Sequence, residues 1–161
     1  MPTTQTTKVN QLLDPEHVRI RLPGTSKSEL IDALVDVLAG DEAIESLEAV
    51  RRAIFEREQK MSTGVGKGLG LPHAKTPAAT ETVAAFATTD EPVEFGAVDD
   101  RPVRLLLLLV GPEDHKSQHV KILGRISRLL SRDVLRDRLV EAESPTTVIE
   151  ILREGEQELR D

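Results

Sequence analysis

The chain has 161 residues, of which 39% are hydrophobic and 30% charged, and this composition suits one globular domain with a buried core. The formal net charge of −7 argues against binding to nucleic acid or to anionic membranes, and three phenylalanines without tryptophan or tyrosine offer no platform for stacking bases. Cysteine is absent, which excludes disulfides and thiolate chemistry, and the N-terminus lacks the apolar stretch of a signal peptide. We therefore expect a cytoplasmic protein.

The start of the chain is polar and is followed by a predicted strand. We expect residues 1–161 to form a single domain with its core at about 10–155, and residues 1–9 and 156–161 to fray. Apolar and charged residues alternate over 17–22, which predicts a half-buried strand that ends at a Pro-Gly pair.

Two helices are predicted next. Ser26 and Glu29 form the Ser-x-x-Glu pattern of a capping box, and the helix that begins there should end at Gly40. A second helix is predicted for residues 42–59, and its apolar stripe continues onto Arg57. Arg57 is either a last-turn arginine that meets helix carbonyls or a clamp for a phosphate group, and spacing alone leaves both readings open.

Strands and helices alternate through the second half of the chain. Residues 82–89 and 103–110 predict strands, and the second is the best candidate for the centre of a sheet because its residues 105–110 form a continuous apolar run. A short extended piece at 92–95 and a turn at 99–102 separate them. Further helices are predicted for residues 117–130, for 133–140 and from the N-cap Ser144 onward. This alternation predicts a layered α/β domain.

Four of the ten glycines fall in one window, and they mark a loop of unusual flexibility within residues 61–75. Two nucleotide-binding motifs are excluded there. A Walker A loop needs Ser or Thr after Gly-Lys, but Gly68 follows Lys67, and a dinucleotide fingerprint needs a small residue at the position of Leu69. The four glycines are Gly64, Gly66, Gly68 and Gly70.

His73 comes directly after this loop, beyond the stiff step at Pro72. A neutral imidazole is a competent nucleophile near pH 7 and suits phosphoryl transfer, whose transition state needs donors already aimed at the phosphoryl oxygens. Candidate donors are the hydroxyls of Ser62 and Thr63, the backbone amides of the glycine loop (Gly64 and Gly66 among them), Arg57, and His119 from across a cleft. The alternative is a structural loop histidine.

The other histidines are weaker candidates. His17 opens a strand and His115 lies in a polar turn, so that both are expected to be structural or solvated. His119 lies on the apolar face of a predicted helix, where a lone histidine is most often a satisfied core residue. His115 and His119 are four residues apart, but no glutamate follows His115 and the segment is a poor metal site. We therefore expect no metal site.

The stretch around the glycine loop resembles a known active-site signature. The segments 56–58, 61–66 and 71–75 (Glu-Arg-Glu, Met-Ser-Thr-Gly-Val-Gly and Leu-Pro-His-Ala-Lys) resemble that of the enzyme IIA domain of the fructose/mannitol family, which belongs to the bacterial phosphoenolpyruvate-dependent phosphotransferase system. The likeness continues through 90–103 and through the helix of His119, and it spans roughly residues 10–155. Gly70 and Lys75 depart from the commoner Ala and Arg, in positions that we expect to lie outside the chemistry.

The resemblance implies an α/β sandwich with a mixed central sheet and helices on its faces. It implies that His73 accepts a phosphoryl group at Nε2 from the histidine-containing phosphocarrier protein, HPr, and that Arg57 and His119 help to hold it. A gap in the alignment near residues 113–119 would make His115 the second histidine instead. No cofactor is implied. We also expect an apolar patch around His73, rimmed by acidic residues, that docks a basic carrier in a salt-sensitive way.

The resemblance leaves three functions open. The first is delivery of the phosphoryl group to an enzyme IIB component on another chain, which makes the protein peripheral to a membrane permease at most. The second is regulation of other proteins by phosphorylation-dependent binding, as in the nitrogen-related branch of the family, towards which the free-standing length and the segments after residue 99 lean slightly. The third, a silent binding module, is disfavoured because His73, Arg57 and His119 are all present.

Overall fold

The structure, a computed structural model, describes residues 8–159. Six helices and six strands are found there, with a short 3₁₀ turn at Pro15–His17 before the first strand. The helices are α1 (Val9–Leu12), α2 (Lys27–Val37), α3 (Leu47–Lys60), α4 (Lys116–Leu130), α5 (Asp133–Glu141) and α6 (Pro145–Gln157). The strands are β1 (Val18–Leu22), β2 (Gly64–Gly66), β3 (Leu69–Gly70), β4 (His73–Lys75), β5 (Val83–Val93) and β6 (Val103–Gly111).

The strands form one mixed sheet in the order β1-β5-β6-β3-β2, and β4 also pairs with β6. β5 and β6 are antiparallel, as are β2 and β3, whereas β1 runs parallel to β5, and β3 and β4 run parallel to β6. Helices cover both faces, and the predicted α/β sandwich with a mixed central sheet is confirmed.

The strand β6 divides the core into two layers because successive side chains of a strand point to opposite faces. Leu105, Leu107 and Leu109 pack with α4, α5 and α6 on one face, and Leu106 and Leu108 pack with α2 and α3 on the other. Both faces are therefore buried, which explains why this segment is continuously apolar rather than alternating.

Two predictions about where elements begin and end need correction. The second helix begins at Leu47 and not near residue 42, because Ser46 caps it by accepting a hydrogen bond from the amide of Ala49. The expected fraying of residues 1–7 and 160–161 lies outside the described residues, but the rest of that expectation is wrong. Val9 begins a helix and is fully buried, and Glu156 is a buried residue of α6.

A buried ion pair explains why these ends are ordered. The carboxylate of Glu156 accepts hydrogen bonds from the amides of Val9 (2.6 Å) and Asn10 (2.8 Å), and Arg125 Nε donates to it at 3.0 Å. Glu156 and Arg125 are both almost fully buried. The pair thus ties the N-terminal helix to α4 and α6, the layer that carries His119.

The glycine-rich segment, expected to be an open loop, is instead built into the sheet. β2 and β3 form a small hairpin, and β3 and β4 pair with β6. Gly66 and Gly68 have positive φ values of 98° and 79°, which suit glycine in the tight connection between β2 and β3. The hairpin delivers the chain to β4, where His73 pairs with Leu109.

Candidate functional site

His73 is held by both its backbone and its ring. The carbonyl of Pro72, the residue before it, accepts a hydrogen bond from the amide of Leu109, which fixes the entry to β4. The ring atom Nδ1 lies 2.7 Å from the carbonyl oxygen of Leu71. A carbonyl oxygen only accepts, so this contact requires the proton to be on Nδ1 and leaves the lone pair on Nε2. Local geometry therefore leaves Nε2 as the ring nitrogen with a lone pair available for a reaction.

The charge state of His73 agrees with that role. Its pKa is lowered, first by burial and then by the positive charge of Arg57, while the hydrogen bond to Leu71 O opposes the shift. At neutral pH the imidazole is therefore uncharged. An uncharged ring with its Nδ1 proton engaged is the form that can attack an electrophile.

His119 is the second histidine of the site. It lies in the first turn of α4, is only 3% exposed, and its ring centroid is 5.8 Å from that of His73, with the planes tilted by 45°. Burial, followed by the charges of His73 and Lys75, lowers the pKa of His119 to about 4. His115 is an exposed residue at the N-cap of α4 and has no such partner ring among the described residues, so His119 is the histidine that the structure places beside His73.

Arg57 comes from the last turn of α3, and the structure shows the helix-carbonyl contact of its first sequence interpretation. Its Nη1 donates to the carbonyl of Met61 at 3.0 Å, as a last-turn arginine should. Its side chain also lines the same pocket as both histidines. A guanidinium has five N–H donors, and this hydrogen bond uses one of them, so donors remain for an anion.

The pocket that holds these side chains has a volume of about 430 Å³. Its charged lining consists of three cations and one carboxylate, and its apolar lining includes an exposed Val120 and a half-buried Leu123. The expected apolar patch is present, but the lining does not show the expected acidic rim. The charged residues are Arg57, Lys60, Lys75 and Glu56. A small anion would find a net positive field here.

Lys75, which the sequence led us to expect outside the chemistry, lines the same pocket. It is two residues beyond His73 in β4, so both side chains project from the same face of the strand, and the period of two could have revealed this. Lys75 also lines a larger cavity of about 820 Å³. That cavity includes His115 but neither ring of the histidine pair.

The structure does not bring the four predicted phosphate-binding residues into the pocket. Ser62 Oγ donates to the carbonyl of Phe95 at 2.5 Å and accepts from the amide of Gly64. Thr63 donates its hydroxyl to Glu58 at 2.5 Å and its amide to the same carboxylate at 2.8 Å. Gly66 pairs with Leu69 in the hairpin. These groups build the loop that carries His73, and sequence spacing could not show that their donors were already engaged.

Sequence reasoning gave no role to Glu58, a buried residue of α3 that contacts this loop. It is 8% exposed, and besides Thr63 its carboxylate binds Lys27 Nζ at 2.5 Å. Lys27 also donates to the carbonyl of Phe95 at 3.3 Å. The carboxylate therefore joins α2 and the end of α3 to Thr63, the residue that leads into the hairpin. The sequence placed Glu58 beside Arg57 in the signature segment 56–58, but no local pattern indicated its partners.

The described residues also bear on metal binding and on membrane insertion. Within residues 8–159, no group of three or more histidine, aspartate or glutamate side chains is arranged to hold a metal ion. In the same part of the chain, no helix has the length and apolar character needed to cross a membrane.

Comparison with known proteins finds a matching family model and similar sequences. Residues 11–155 match the family model described as phosphoenolpyruvate-dependent sugar phosphotransferase system, EIIA 2. The chain is 35% identical over 148 residues to the fructose-specific EIIA component of the phosphotransferase system from Haloferax volcanii, covering 92% of this chain and 96% of that protein.

Solved structures agree with this match. The crystal structure of the nitrogen regulatory protein IIA-Ntr from Neisseria meningitidis superposes with a TM-score of 0.84 at 30% identity, covering 89% of this chain and 98% of the other. The enzyme IIAMTL in its complex with phosphorylated enzyme IIBMTL from Escherichia coli superposes with a TM-score of 0.75 at 22% identity, covering 88% and 97%, which shows the shared fold.

Proposed function

The chain belongs to the EIIA type 2 family of the phosphoenolpyruvate-dependent sugar phosphotransferase system, and we propose that it carries a phosphoryl group on Nε2 of His73. The observation that carries this proposal is the contact between His73 Nδ1 and Leu71 O. It holds the ring in one tautomer, with the lone pair of Nε2 free and the ring neutral.

The transfer step needs no proton movement at His73. The lone pair of Nε2 attacks phosphorus, the bond from phosphorus to the donor nitrogen breaks, and the donor nitrogen keeps its electron pair. The Nδ1 proton stays hydrogen-bonded to the carbonyl of Leu71, which stabilises the positive charge that develops on the ring. Because one phosphorus–nitrogen bond replaces another, the reaction is close to balance and readily reversed.

Arg57 and His119 act on the phosphoryl oxygens in this proposal. The guanidinium supplies donors and positive charge from the end of α3, and His119 supplies one N–H from α4. Lys75 adds a second positive charge from the same strand as His73. Ser62, Thr63, Gly64 and Gly66 serve indirectly, since their hydrogen bonds and turns set the loop that positions His73.

The proposed donor is an HPr-type phosphocarrier protein, and the proposed acceptor is an enzyme IIB component. The second is supported by the E. coli structure in which enzyme IIAMTL is bound to phosphorylated enzyme IIBMTL on the same fold. The exposed Val120 and neighbouring Leu123 offer a small apolar surface at the mouth of the pocket. A relay partner must leave after each transfer, and a small interface suits that need. The location proposed for this relay is the cytoplasm.

A regulatory role is the second candidate, and the likeness to IIA-Ntr from N. meningitidis favours it. In that case the same phosphoryl group on His73 changes which proteins the chain binds, and no IIB component receives it. The two roles share the site and differ in the fate of the phosphoryl group. Mixing the phosphorylated protein with a fructose-type enzyme IIB separates them: loss of the phosphoryl group to IIB supports transport, and its retention supports regulation.

The attachment site itself is tested by nuclear magnetic resonance of the phosphorylated, ¹⁵N-labelled protein. We expect phosphorus coupling to Nε2 of His73, with Nδ1 still protonated against Leu71 O. Coupling to Nδ1 of His73, or to either nitrogen of His119, would contradict the proposal.

A further inference from the structure

His119 is buried with neither ring nitrogen satisfied. Among residues 8–159, neither Nδ1 nor Nε2 of this side chain has a hydrogen-bond partner, although the residue is only 3% exposed. A neutral imidazole has one N–H donor and one acceptor nitrogen, and burying both unpaired costs free energy. The proposed phosphoryl group would satisfy one nitrogen. The other needs a partner from the protein.

A second orphaned group lies close by, the hydroxyl of Thr82. Its Oγ1 is buried and also has no partner within the described part of the chain. Thr82 directly precedes β5, and because Val83 pairs with Val110, it lies beside Gly111 at the end of β6. Gly111 in turn pairs with Lys75, two residues beyond His73. Thr82 therefore reaches the same end of the sheet as the pocket.

The hydroxyl of Thr82 and the imidazole of His119 both lie close to Gly111. A methyl group built on Gly111 would lie 3.1 Å from Thr82 Oγ1 and 3.3 Å from His119 Nδ1. Gly111 has no positive φ, so its lack of a side chain matters here for space and not for backbone conformation. The space that glycine leaves open is bounded by both orphaned polar atoms, and Nδ1 is the nitrogen of His119 that faces it.

We propose that Thr82 is a positioning residue for His119: its hydroxyl donates to His119 Nδ1 directly, or to one water molecule that in turn donates to Nδ1. The inference rests on the proposed function of the site. With Nδ1 accepting this hydrogen bond, the imidazole proton remains on Nε2, the nitrogen left for the pocket. His119 then presents an N–H to the phosphoryl oxygens, whereas the opposite tautomer would present a lone pair and repel them.

The two histidines thus take opposite tautomers, His73 through an observed contact and His119 through the proposed one. Leu71 O holds the proton of His73 on Nδ1, so that Nε2 attacks. Thr82 holds the proton of His119 on Nε2, so that Nε2 donates. The partner of Nδ1, a carbonyl oxygen for His73 and a hydroxyl for His119, therefore decides whether Nε2 attacks or donates.

The test measures the tautomer of His119 in the full-length, unphosphorylated chain, from the side-chain ¹⁵N–¹H correlations at neutral pH. Thr82→Val removes the hydroxyl at nearly constant shape, and Thr82→Ser restores it. The matched control is Thr89→Val, since Thr89 Oγ1 is also buried and unpaired among the described residues but lies at the other side of the sheet, opposite Leu22. The His73 signals report that each variant keeps its fold.

We expect the Nε2–H form of His119 in the wild type, Thr82→Ser and Thr89→Val, and a mixture of both tautomers in Thr82→Val. Phosphoryl uptake should fall about tenfold in Thr82→Val, the effect of one hydrogen bond, and recover in Thr82→Ser. An unchanged Nε2–H form in Thr82→Val would overturn the inference. Because the tautomer is measured without any phosphoryl donor, failure of the wild type to be phosphorylated would contradict the proposed function separately.

Discussion

The imidazole rings of His73 and His119 lie 5.8 Å apart, centroid to centroid, on two elements that are distant in sequence. β4 carries the first, and α4 carries the second immediately after β6, the strand with which β4 pairs. Burial keeps both rings neutral at pH 7 by lowering their pKa values. The strand β4 and the helix α4 therefore bring two neutral imidazole rings together in the pocket that Arg57 also lines.

Arg57 should affect the rate of phosphoryl uptake through its geometry as well as its charge. Arg57→Lys keeps the positive charge but removes the planar set of donors, and we expect uptake from the phosphocarrier to fall roughly 100-fold. The control is Arg52→Lys, at an exposed position of the same helix, which should react at the wild-type rate. An Arg57→Lys protein as fast as the wild type would show that the guanidinium is not used.

The lowered pKa of His119 predicts a pH dependence of stability. Its ordinary value is 6.5 and its folded value is about 4, so between these pH values the unfolded chain binds a proton that the folded chain does not. The contribution of His119 is fully present above pH 6.5 and is lost as the pH falls to about 4, by about 3 kcal/mol. Denaturant unfolding at both ends of this range measures it. His119→Gln should lose less stability on acidification, and an equal loss would contradict the assignment.

Glu58 should contribute more than Glu56 to the free energy of unfolding. Glu58→Gln weakens the hydrogen bonds to Thr63 and leaves Lys27 without its buried counterion, so the free energy of unfolding should fall by about 3 kcal/mol. Glu56→Gln, two residues earlier and exposed, should change it little. Urea unfolding compares the two variants. Equal and small effects would mean that the carboxylate does not anchor the hairpin.

Two glycines should respond to alanine in opposite directions. A methyl group at Gly64 would lie 2.9 Å from Ala97 Cβ and 3.1 Å from Ala97 Cα, so Gly64→Ala should lower the free energy of unfolding by about 2 kcal/mol. A methyl group at Gly124, in α4, meets nothing within 4 Å among the described residues, and Gly124→Ala should raise it by up to about 1 kcal/mol. Thermal unfolding of both variants checks the signs. A stable Gly64→Ala protein would argue against the tight contact of β2 with residue 97.

The sequence predicted correctly the structural features that depend only on residues close together in the chain. The caps at Ser26 and Ser144 are where the pattern placed them, each accepting a hydrogen bond from an amide three residues later. The continuously apolar segment is the central strand β6. His73 was singled out from Pro72 and the glycines before it, which are also local features.

The features that could not be predicted depend on partners far away in the chain. The hairpin of β2 and β3 exists because β3 pairs with β6, more than 30 residues later, and a run of glycines carries no strand pattern of its own. The donors of Ser62 and Thr63 looked available from spacing, yet Phe95 and Glu58 already engage them. Thr82 has no motif around it, and only the sheet register places it beside His119.

The proposed function depends most directly on His73 being the one residue that accepts the phosphoryl group. The chain is incubated with phosphoenolpyruvate, enzyme I and the phosphocarrier protein, and the intact mass is measured for the wild type, His73→Ala and His115→Ala. We predict one acid-labile phosphoryl group on the wild type and on His115→Ala, and none on His73→Ala. A phosphoryl group that persists on His73→Ala, or a wild type that stays unmodified while another enzyme IIA is labelled alongside it, would contradict this assignment.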